Sequence, residues 1–302
     1  MQIAPNHTHS QYCIAPHTNG RSRKLAVITG ASSGIGEAFA FHFASQGYDL
    51  LITGRRHKAL YHVASKISTT YGVIVFPIIA DLSVKQDVEN LIATITRLEN
   101  IEILINNAGY SLREKFSEGS IDDQMAMMDV HVNVPLKLVH SVLPNMIVKK
   151  AGTIINISSL AADMPTSVNT MYASTKSFLK TFSESLHLNI EEYGIQVQCL
   201  CPGFTHTNFH RNYQLPKDAN NPLTPWMSPN QVVDYSIKSL NKKKVICIPG
   251  FRNKLIHAIV TATPRKIYYF LARHLEKKIG KSPLNSSYRA MKKVKILPVH
   301  YN

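Results

Sequence analysis

Long apolar runs and cysteines are both scarce in this chain. No run of 18 apolar residues occurs among its 302 residues, so no membrane-spanning helix is expected. Residues 1–23 contain no apolar run of seven or more, which argues against a secretory signal there. Only four cysteines are present, too few for a small disulfide scaffold, and no two of them form a CxxC pair. We therefore expect reduced thiols, mostly buried, and no metal site.

Acidic residues are almost missing from the end of the chain. Overall, 34 Lys and Arg stand against 19 Asp and Glu, which gives a formal net charge of +15. Residues 1–237 contain 18 residues of each sign, whereas residues 238–302 contain 16 basic residues and a single acidic one, Glu276. The chain is therefore a neutral body followed by a cationic tail. The tail matches no nucleic-acid-binding module, so no nucleic-acid partner is expected.

The body does contain a regular alternation of strand and helix patterns. With 44% hydrophobic residues, the chain can bury a full core. Short apolar runs predict strands at residues 25–29, 50–53, 73–79, 103–105, 153–157, 197–200 and 245–248. Helical patterns lie at residues 34–46, 57–71, 84–98, 122–150 and 174–193, with cap residues at 81–83 and 120–123. Several strands are apolar on both faces. The alternation therefore predicts an α/β fold, a single doubly wound parallel sheet with helices on both faces.

A glycine-rich turn, TGASSGIG at residues 29–36, lies between the first predicted strand and the first predicted helix. Glycine is needed where the chain turns sharply and where the backbone approaches a phosphate, and N–H groups at the start of the helix then bind a pyrophosphate. The spacing GxxxGxG is a weak signal alone, because it occurs in other tight turns. In this position it predicts a dinucleotide site formed by Gly30, Ser32, Ser33, Gly34, Ile35 and Gly36.

Two arginines, Arg55 and Arg56, follow the second predicted strand. Enzymes that select NAD usually have an acidic residue there, which binds the ribose 2′-hydroxyl. A guanidinium group suits a 2′-phosphate instead. We therefore predict NADP(H) as the preferred cofactor and keep NAD(H) as the alternative. The competing interpretation of the two arginines is a pair of solvated charges.

Tyr172 and Lys176 lie four residues apart at the start of a predicted helix, so they share one face. A phenol has an ordinary pKa of about 10, too high for proton exchange near neutrality, and an adjacent ammonium group lowers it. The pair therefore predicts an acid–base site. The spacing YxxxK is common on helices, however, and carries little weight by itself.

Taken together, these motifs resemble those of the short-chain dehydrogenase/reductase (SDR) family, and the resemblance covers residues 24–250. The matching pieces are TGASSGIG at 29–36, Asp81-Leu82, NNAG at 106–109, Asn133, Ser159, YASTK at 172–176 and Pro202-Gly203, in the family's order. Ser159 precedes Tyr172 by 13 residues, as the family pattern requires. The resemblance implies a Rossmann-like NAD(P)-binding catalytic domain at 24–250. The polar composition of residues 1–23 predicts a disordered extension before it.

The resemblance also implies roles for individual residues. Tyr172 would exchange a proton with the substrate oxygen, Ser159 would hold that oxygen, and Lys176 would bind the nicotinamide ribose. Asn133 would support a water-linked proton path to Lys176, which completes the implied catalytic set. Further cofactor contacts are implied at Asp81, Leu82, Asn107, Ala108, Gly109, Pro202, Gly203, Thr205 and Thr207. Each role has a structural alternative. Ser158 and Ser159 could simply end a strand, Asn133 could be a buried structural amide, and Asp81 could cap the next helix.

Residues 208–231 contain four prolines, the only tryptophan (Trp226), and the aromatic residues Phe209 and Tyr213. The corresponding segment of SDR proteins covers the substrate, so we expect an apolar lid; an ordinary surface loop with one packed helix is the alternative. No anion clamp is evident, which favours a ketone, aldehyde or 3-oxoacyl substrate. The predicted function is NADP-dependent interconversion of a carbonyl and an alcohol. The alternative is a catalytically silent NADP-binding regulatory protein or membrane-associated scaffold protein.

Residues 251–302 form a predicted basic, amphipathic helical tail. Their apolar residues lie mostly at helical spacing in two stretches, 255–262 and 267–275, which Pro264 separates. Neither stretch could span a bilayer, but a cationic amphipathic helix can lie on an anionic membrane surface. Similar tails occur in SDR proteins that resemble bacterial ketone and 3-oxoacyl reductases. We therefore expect a cytoplasmic enzyme held at the inner face of a membrane, with packing on the body or a subunit interface as alternatives. The resemblance further implies a homodimer or homotetramer.

Overall fold

A computed structural model describes residues 23–112, 114–211 and 226–280 of the chain. Within these residues, parallel strands form one sheet in the order β3-β2-β1-β4-β5-β6-β7. The strands are β1 Leu25–Thr29, β2 Asp49–Gly54, β3 Val75–Ile79, β4 Ile101–Asn106, β5 Gly152–Ile157, β6 Ile195–Leu200 and β7 Ile246–Cys247. Each of them overlaps a run predicted from the sequence. The predicted doubly wound α/β fold is confirmed.

The strand order reverses direction at β1, which pairs with β2 on one side and with β4 on the other. Chain connections leave β1 towards opposite edges of the sheet, so the loops after β1 and β4 diverge and leave a crevice between them. In open parallel sheets, ligands bind in this crevice at the carboxyl ends of the strands. The topology therefore brings the glycine-rich turn after β1 and the segment after β4 to the same place.

Helices cover both faces of the sheet. They are α1 Gly34–Ser45, α2 His57–Tyr71, α3 Lys85–Thr96, α4 Ile121–Met128, α5 Val134–Lys149, α6 Thr170–Ile190, α7 Asn208–Arg211, α8 Pro229–Leu240, α9 Phe251–Ala262 and α10 Arg265–Gly280. One core cluster includes Phe39 of α1, Leu60 of α2 and Val232 of α8. The other includes Leu138 of α5 and Leu186 of α6. Apolar residues on both faces of each central strand are thus buried, which explains why the strands are continuous apolar runs.

The helix predicted at residues 122–150 is interrupted. A single π-helical turn, Asp129–Asn133, separates α4 from α5. Such turns insert an extra residue per turn and change which side chains face the protein interior. The prediction of one regular helix missed this turn, and the turn lies beside the active site described below.

Helix caps follow the sequence at one of the two predicted places. Ser120 caps α4, because its side chain accepts a hydrogen bond from the Asp123 N–H. Residues 81–83 do not cap α3 in the same way: its N-cap is Val84, and the Asp81 carboxylate accepts hydrogen bonds from Ser83 instead. Helix α8, which the sequence analysis left as an alternative, begins with a capping box between Ser228 and Gln231.

The C-terminal helices α9 and α10 extend further than the apolar stretches predicted at residues 255–262 and 267–275. Among the described residues, no helix combines the length and the apolar composition needed to cross a bilayer. The predicted extension at residues 1–23 lies outside the described part of the chain except for Arg23, and so does the end of the predicted tail, residues 281–302.

Candidate active site

A cavity of about 620 Å³ opens at the carboxyl ends of the strands. This volume lies within the range of small-molecule and cofactor sites. Of the residues predicted from the sequence to bind cofactor or act in catalysis, all but Gly36 and Asn133 line it. The cavity therefore joins the glycine-rich turn, the arginines after β2, the NNAG segment, Ser159, Tyr172, Lys176 and the turn at Pro202-Gly203.

The glycine-rich turn is packed too tightly for other residues. Gly30 has a φ of +68°, and a Cβ atom there would lie 2.8 Å from the Cα of Ala108. A Cβ atom on Gly36 would lie 2.6 Å from the carbonyl oxygen of Gly30. Asn107 fastens the turn from the side, because its amide donates to the Thr29 carbonyl (2.8 Å) and the Gly30 carbonyl (3.1 Å). Gly36 thus supports the turn from beneath rather than facing the cavity.

The start of α1 suits a pyrophosphate. Ser33, its N-cap, forms no side-chain cap hydrogen bond among the described residues, so the first N–H groups of this 12-residue helix keep their donor capacity. The helix dipole adds positive potential at the same point. The N–H groups at the start of α1 and the tightly packed glycines before it therefore form a site that fits a dinucleotide.

Arg55 and Arg56 stand at the same end of the cavity. The Arg56 guanidinium donates to the Ser33 hydroxyl (2.6 Å) and the Ser32 hydroxyl (3.0 Å), which ties the end of β2 to the glycine-rich turn. Arg55 lies 3.8 Å from the Asp81 carboxylate. Partial burial opposes ionisation of Asp81, but hydrogen bonds from Ser83 and the charge of Arg55 outweigh it and lower the pKa of this carboxyl. Two cations and one carboxylate therefore line this end of the cavity.

Tyr172 and Lys176 lie one turn apart on α6, and the Lys176 ammonium is 5.8 Å from the centre of the Tyr172 ring. Lys176 is only 5% exposed, and its ammonium donates to the Ile157 carbonyl at 2.8 Å. Burial lowers the pKa of Lys176 to about 8, while Cys199 and Cys201 act in the opposite direction. The lysine is therefore still largely protonated at neutral pH and provides a buried positive charge beside the phenol.

The two serines at the end of β5 have different surroundings. The Ser158 hydroxyl is buried and donates to the Lys176 carbonyl at 2.7 Å, so it holds α6 against the strand. The Ser159 oxygen accepts a hydrogen bond from the Ala161 N–H at 3.1 Å and faces the cavity. Because the oxygen is the acceptor in this bond, its hydroxyl proton can be donated to a ligand. The hydrogen bonds therefore leave Ser159, and not Ser158, with a proton to donate to a ligand. Ser159 is also the serine that lies 13 residues before Tyr172.

The structure does not bring Asn133 together with Ser159, Tyr172 and Lys176. Its side-chain amide donates to the Asp129 carboxylate at 2.6 Å, and it is absent from the described residues that line the cavity. The side chain beside Tyr172 and Lys176 is His131, which lies two positions earlier and is 1% exposed. His131 was not among the site residues predicted from the sequence. The available signal was an imidazole placed between two valines, Val130 and Val132, in a predicted helix.

Helix α9 closes one side of the cavity with Asn253 and Ile256. Asn253 is 2% exposed, and a Cβ atom on Gly203 would lie 2.7 Å from its side-chain oxygen. The Asp163 carboxylate also holds α9, because it accepts hydrogen bonds from Lys180 of α6 (2.7 Å) and pairs with His257 of α9 (3.0 Å). The beginning of the predicted tail is therefore part of the cavity wall.

Part of the predicted lid, residues 212–225, lies outside the described residues. The aromatic residues on either side of it are described. The Phe209 ring centre lies 5.8 Å from that of Tyr172. Trp226 packs between Phe204, at 5.2 Å, and His206, at 4.9 Å. The described flanks of this segment thus place aromatic surface beside the acid–base pair.

Comparisons with known proteins agree with this geometry. The short chain dehydrogenase family model matches residues 24–218. An uncharacterized oxidoreductase of Staphylococcus epidermidis is 32% identical over 185 residues, which are 61% of this chain and 79% of that protein. The solved structure of a bulky-bulky ketone specific alcohol dehydrogenase from Comamonas testosteroni is similar with a TM-score of 0.68 at 25% identity, over 92% of this chain and 97% of that one.

A second solved structure, L-sorbose reductase from Gluconobacter frateurii complexed with NADPH and L-sorbose, has a TM-score of 0.64 at 25% identity. The similarity covers 72% of this chain and 89% of that one. The family model spans well over half of the chain and includes the glycine-rich turn, Ser159, Tyr172 and Lys176. The chain therefore belongs to the short-chain dehydrogenase/reductase family and is an NAD(P)-dependent oxidoreductase.

Proposed function

We propose that this protein interconverts an apolar carbonyl compound and its alcohol with NADP(H) as the preferred cofactor. The observation that carries the proposal is that Ser159, Tyr172 and Lys176 line the same cavity as a cradle suited to a dinucleotide. An acid–base group and a cofactor site in one cavity support a reaction in which proton and hydride move between neighbouring groups.

The nicotinamide, when bound, supplies or accepts the hydride. The protein's own residues handle the proton and the substrate oxygen. In the reducing direction, the Tyr172 phenol donates its proton to the carbonyl oxygen, and the Ser159 hydroxyl donates a hydrogen bond to the same oxygen. The buried ammonium of Lys176 stabilises the phenolate that remains. In the oxidising direction, the phenolate accepts the proton of the alcohol.

The preference for NADP(H) rests on the two arginines after β2. A ribose 2′-phosphate needs cationic donors, and Arg55 and Arg56 are exposed at the end of the cavity where such a group would bind. The similar L-sorbose reductase was solved with NADPH. NAD(H) is the alternative cofactor. The ratio of the dissociation constants for NADPH and NADH decides between the two.

The preference for an apolar ketone, aldehyde or 3-oxoacyl substrate rests on apolar side chains in the cavity wall. The lining includes Met164, Phe204, Phe209 and Ile256. Burying substrate carbon against these side chains contributes about 25 cal/mol for each Å² of apolar surface. The similar alcohol dehydrogenase is specific for bulky ketones, which supports this class, whereas the L-sorbose reductase binds a polar sugar.

A panel of ketones, aldehydes, 3-oxoacyl thioesters and sugars, followed by NADPH absorbance, tests the proposal. We expect turnover of bulky apolar carbonyls, and we expect Tyr172→Phe to lower kcat by about 10³-fold because it removes the acid–base group. Tyr235→Phe, on the surface of α8, is the matched control and should retain activity. A Tyr172→Phe protein with the wild-type rate would show the mechanism to be wrong.

The panel also decides between an enzyme and a silent binding protein. Wild-type protein that binds NADPH but reduces no carbonyl of the panel would favour the NADP-binding regulatory or scaffold function. Activity confined to the sugars would overturn the apolar substrate class and leave the reaction type standing.

We further propose a cytoplasmic location, at the inner face of an anionic membrane, with α9 and α10 as the contact. Their outer side exposes Phe251 (77%), Ile259 (58%) and Phe270 (71%). Exposed basic residues surround these side chains: Arg252, Lys254, Arg265, Lys266 and Arg273. No acidic side chain occurs among residues 251–274. Apolar insertion together with about 1 kcal/mol from each cation near the surface supports an anionic lipid surface as the partner.

The oligomer is a separate proposal. Membership of the family supports a homodimer or a homotetramer of this 33.8 kDa chain. Sedimentation velocity in detergent-free buffer should show a species of two or four chains, and a monomer at micromolar concentration would contradict it.

A further inference from the structure

The imidazole of His131 lies at the junction of three parts of the active site. It belongs to the π-helical turn between α4 and α5, and it is 1% exposed. Its Nε2 accepts a hydrogen bond from the backbone N–H of Tyr110, which directly follows the NNAG segment, at 3.1 Å. Its Nδ1 lies 3.0 Å from the hydroxyl of Thr175, between Tyr172 and Lys176 on α6.

These hydrogen bonds permit one protonation state of the ring. A backbone N–H can only donate, so the Nε2 of His131 must be the unprotonated acceptor. The Thr175 hydroxyl donates to the Tyr172 carbonyl at 2.9 Å, so it accepts from His131. The proton is therefore on Nδ1, and the imidazole is neutral. If Nε2 were protonated, its N–H would point at the backbone N–H of Tyr110, and two buried donors would face each other without an acceptor.

The charges around the ring favour the same state. Lys176 of α6 supplies a neighbouring positive charge, and Tyr172 and Tyr110 present their rings edge-on at 5.8 Å and 5.9 Å. The pKa of His131 is held well below its ordinary value, mainly by burial and secondly by the charge of Lys176. Asp129, on the same π-helical turn, is hydrogen-bonded to Asn133.

Packing makes this ring a spacer as well as a hydrogen-bonding group. A Cβ atom on Gly109 would lie 2.9 Å from the Nε2 of His131 and 3.6 Å from the Nζ of Lys176. The imidazole thus fills the gap between the cofactor-side segment and the catalytic helix. A shorter or longer side chain would change the separation of these two elements.

We propose that His131 is a positioning residue for catalysis: as a neutral ring donating from Nδ1, it locks the Gly109–Tyr110 segment to the helix that carries Tyr172 and Lys176. This inference rests on the proposed function. The lock holds the proton donor and the cofactor floor in one geometry, and a misplacement of about 1 Å between reacting groups costs on the order of 10²-fold in rate.

Nuclear magnetic resonance tests the protonation state without any turnover. The wild-type protein, labelled with ¹⁵N in its histidine rings, should show one imidazole that keeps a protonated Nδ1 and an unprotonated Nε2 from pH 5.5 to pH 8. The His131→Gln spectrum should lack that signal, which assigns it. A His131 ring that gains a second proton within this range, or that carries its proton on Nε2, would overturn the proposal.

Side-chain replacements test the positioning role. His131→Gln places an amide oxygen where Nε2 lies and can retain the Tyr110 bond, whereas His131→Phe retains the volume and neither bond. We expect His131→Phe to lower kcat by about 100-fold with KM changed by less than about threefold, and His131→Gln to recover at least about tenfold. His140→Phe, exposed on α5, is the control and should not change kcat.

Two results would contradict the positioning role: wild-type kcat in His131→Phe, or a His131→Gln protein no faster than His131→Phe. If His131→Phe does not fold, Thr175→Val and Thr175→Ser provide the same contrast on the Nδ1 side. Lack of carbonyl turnover in the wild type would overturn the proposed function and, with it, the catalytic role of His131, whereas the imidazole spectrum would still decide whether the neutral ring joins the two elements.

Discussion

The body and the C-terminal helices use apolar residues in opposite ways. In the body, Phe39, Leu60 and Leu104 are completely buried between sheet and helices. In α9 and α10, Phe251 is 77% exposed and Phe270 is 71% exposed, although both follow a helical spacing. Periodicity alone therefore does not distinguish a helix that completes a core from a helix whose apolar side needs another partner.

Charge separates the same two regions. Residues 1–237 are balanced, with 18 residues of each sign, whereas the whole excess lies after residue 237. The body carries the chemistry on a neutral framework, and the cations accompany the exposed apolar side chains. If the two regions divide the work in this way, substitutions on the outer side of α9 and α10 should leave catalysis unchanged, and substitutions in the body should leave lipid binding unchanged. The following experiments test that division.

The largest effect should come from the body, at the end of β5. Ser159→Ala should lower kcat by about 10²–10³-fold, because it removes a donor to the substrate oxygen. The matched variant Ser158→Ala should keep kcat within about tenfold and instead lower the free energy of unfolding by about 0.5–1.5 kcal/mol, because it removes the buried hydrogen bond between the end of β5 and the Lys176 carbonyl. Steady-state kinetics and urea unfolding separate the two. Equal kinetic losses would mean that the serines are not distinguished.

The next effect concerns the cofactor. Replacement of Arg55 and Arg56 by Ala should raise the NADPH dissociation constant by at least about 10–100-fold, since the loss of even one hydrogen bond to a charged group, worth about 1.5–3 kcal/mol, has an effect of that size. NADH should lose affinity by a clearly smaller factor, because only the hydrogen bonds from Arg56 to Ser32 and Ser33 affect the binding of both nucleotides. Fluorescence titration with both nucleotides gives the ratio, and Arg97→Ala, exposed at the end of α3, is the control. Similar losses for the two nucleotides would defeat the assignment of a 2′-phosphate site.

A smaller effect should appear in stability against pH. The folded pKa of Lys176 is about 8 and its ordinary value is 10.5, so between these values the unfolded chain binds more protons than the folded one. Stability from this residue must therefore rise with pH. Relative to Lys176→Met, the wild type should gain about 1–2 kcal/mol in free energy of unfolding from pH 8 to pH 9.5. A constant or falling difference would contradict a depressed pKa.

The smallest effect, and the one that tests the appendage, concerns lipid. Phe251→Asp together with Phe270→Asp should weaken cosedimentation with vesicles containing anionic lipid by about tenfold, because it removes inserted apolar area and adds repulsive charge. Val148→Asp, 84% exposed on the body, should leave binding unchanged. All variants should retain kcat for a small water-soluble carbonyl. Unchanged lipid binding of the double variant would remove the membrane proposal.

The sequence was sufficient for the parts of the molecule that depend on local pattern. Every strand of the sheet is a short apolar run, and β1 begins and ends where the run at residues 25–29 does. The glycine-rich turn, Ser159, Tyr172 and Lys176 are brought into one cavity because parallel strands place the segments that follow them at the same edge.

The sequence was insufficient where the helical period changes or where distant segments meet. The π-helical turn at Asp129–Asn133 shifts the inward-facing position, so spacing in a regular helix could not single out His131 over Asn133. The contact between Gly203 and Asn253 joins segments fifty residues apart, and no local pattern encodes it. Helix α8 did have a readable signal, the capping box at Ser228 and Gln231, which the prolines before it obscured.

The contact of Gly203 with Asn253 also has a practical consequence for protein engineering. A shortened version that stops at residue 250 would look reasonable from the charge distribution, because it removes the basic segment and improves handling. It would also delete Asn253 and Ile256 from the cavity wall and take His257 away from Asp163. The smallest catalytic unit must therefore retain α9, and α10 adds a further contact, because the Tyr268 hydroxyl donates to the Pro165 carbonyl at 2.9 Å, between the cavity-lining residues Met164 and Thr166.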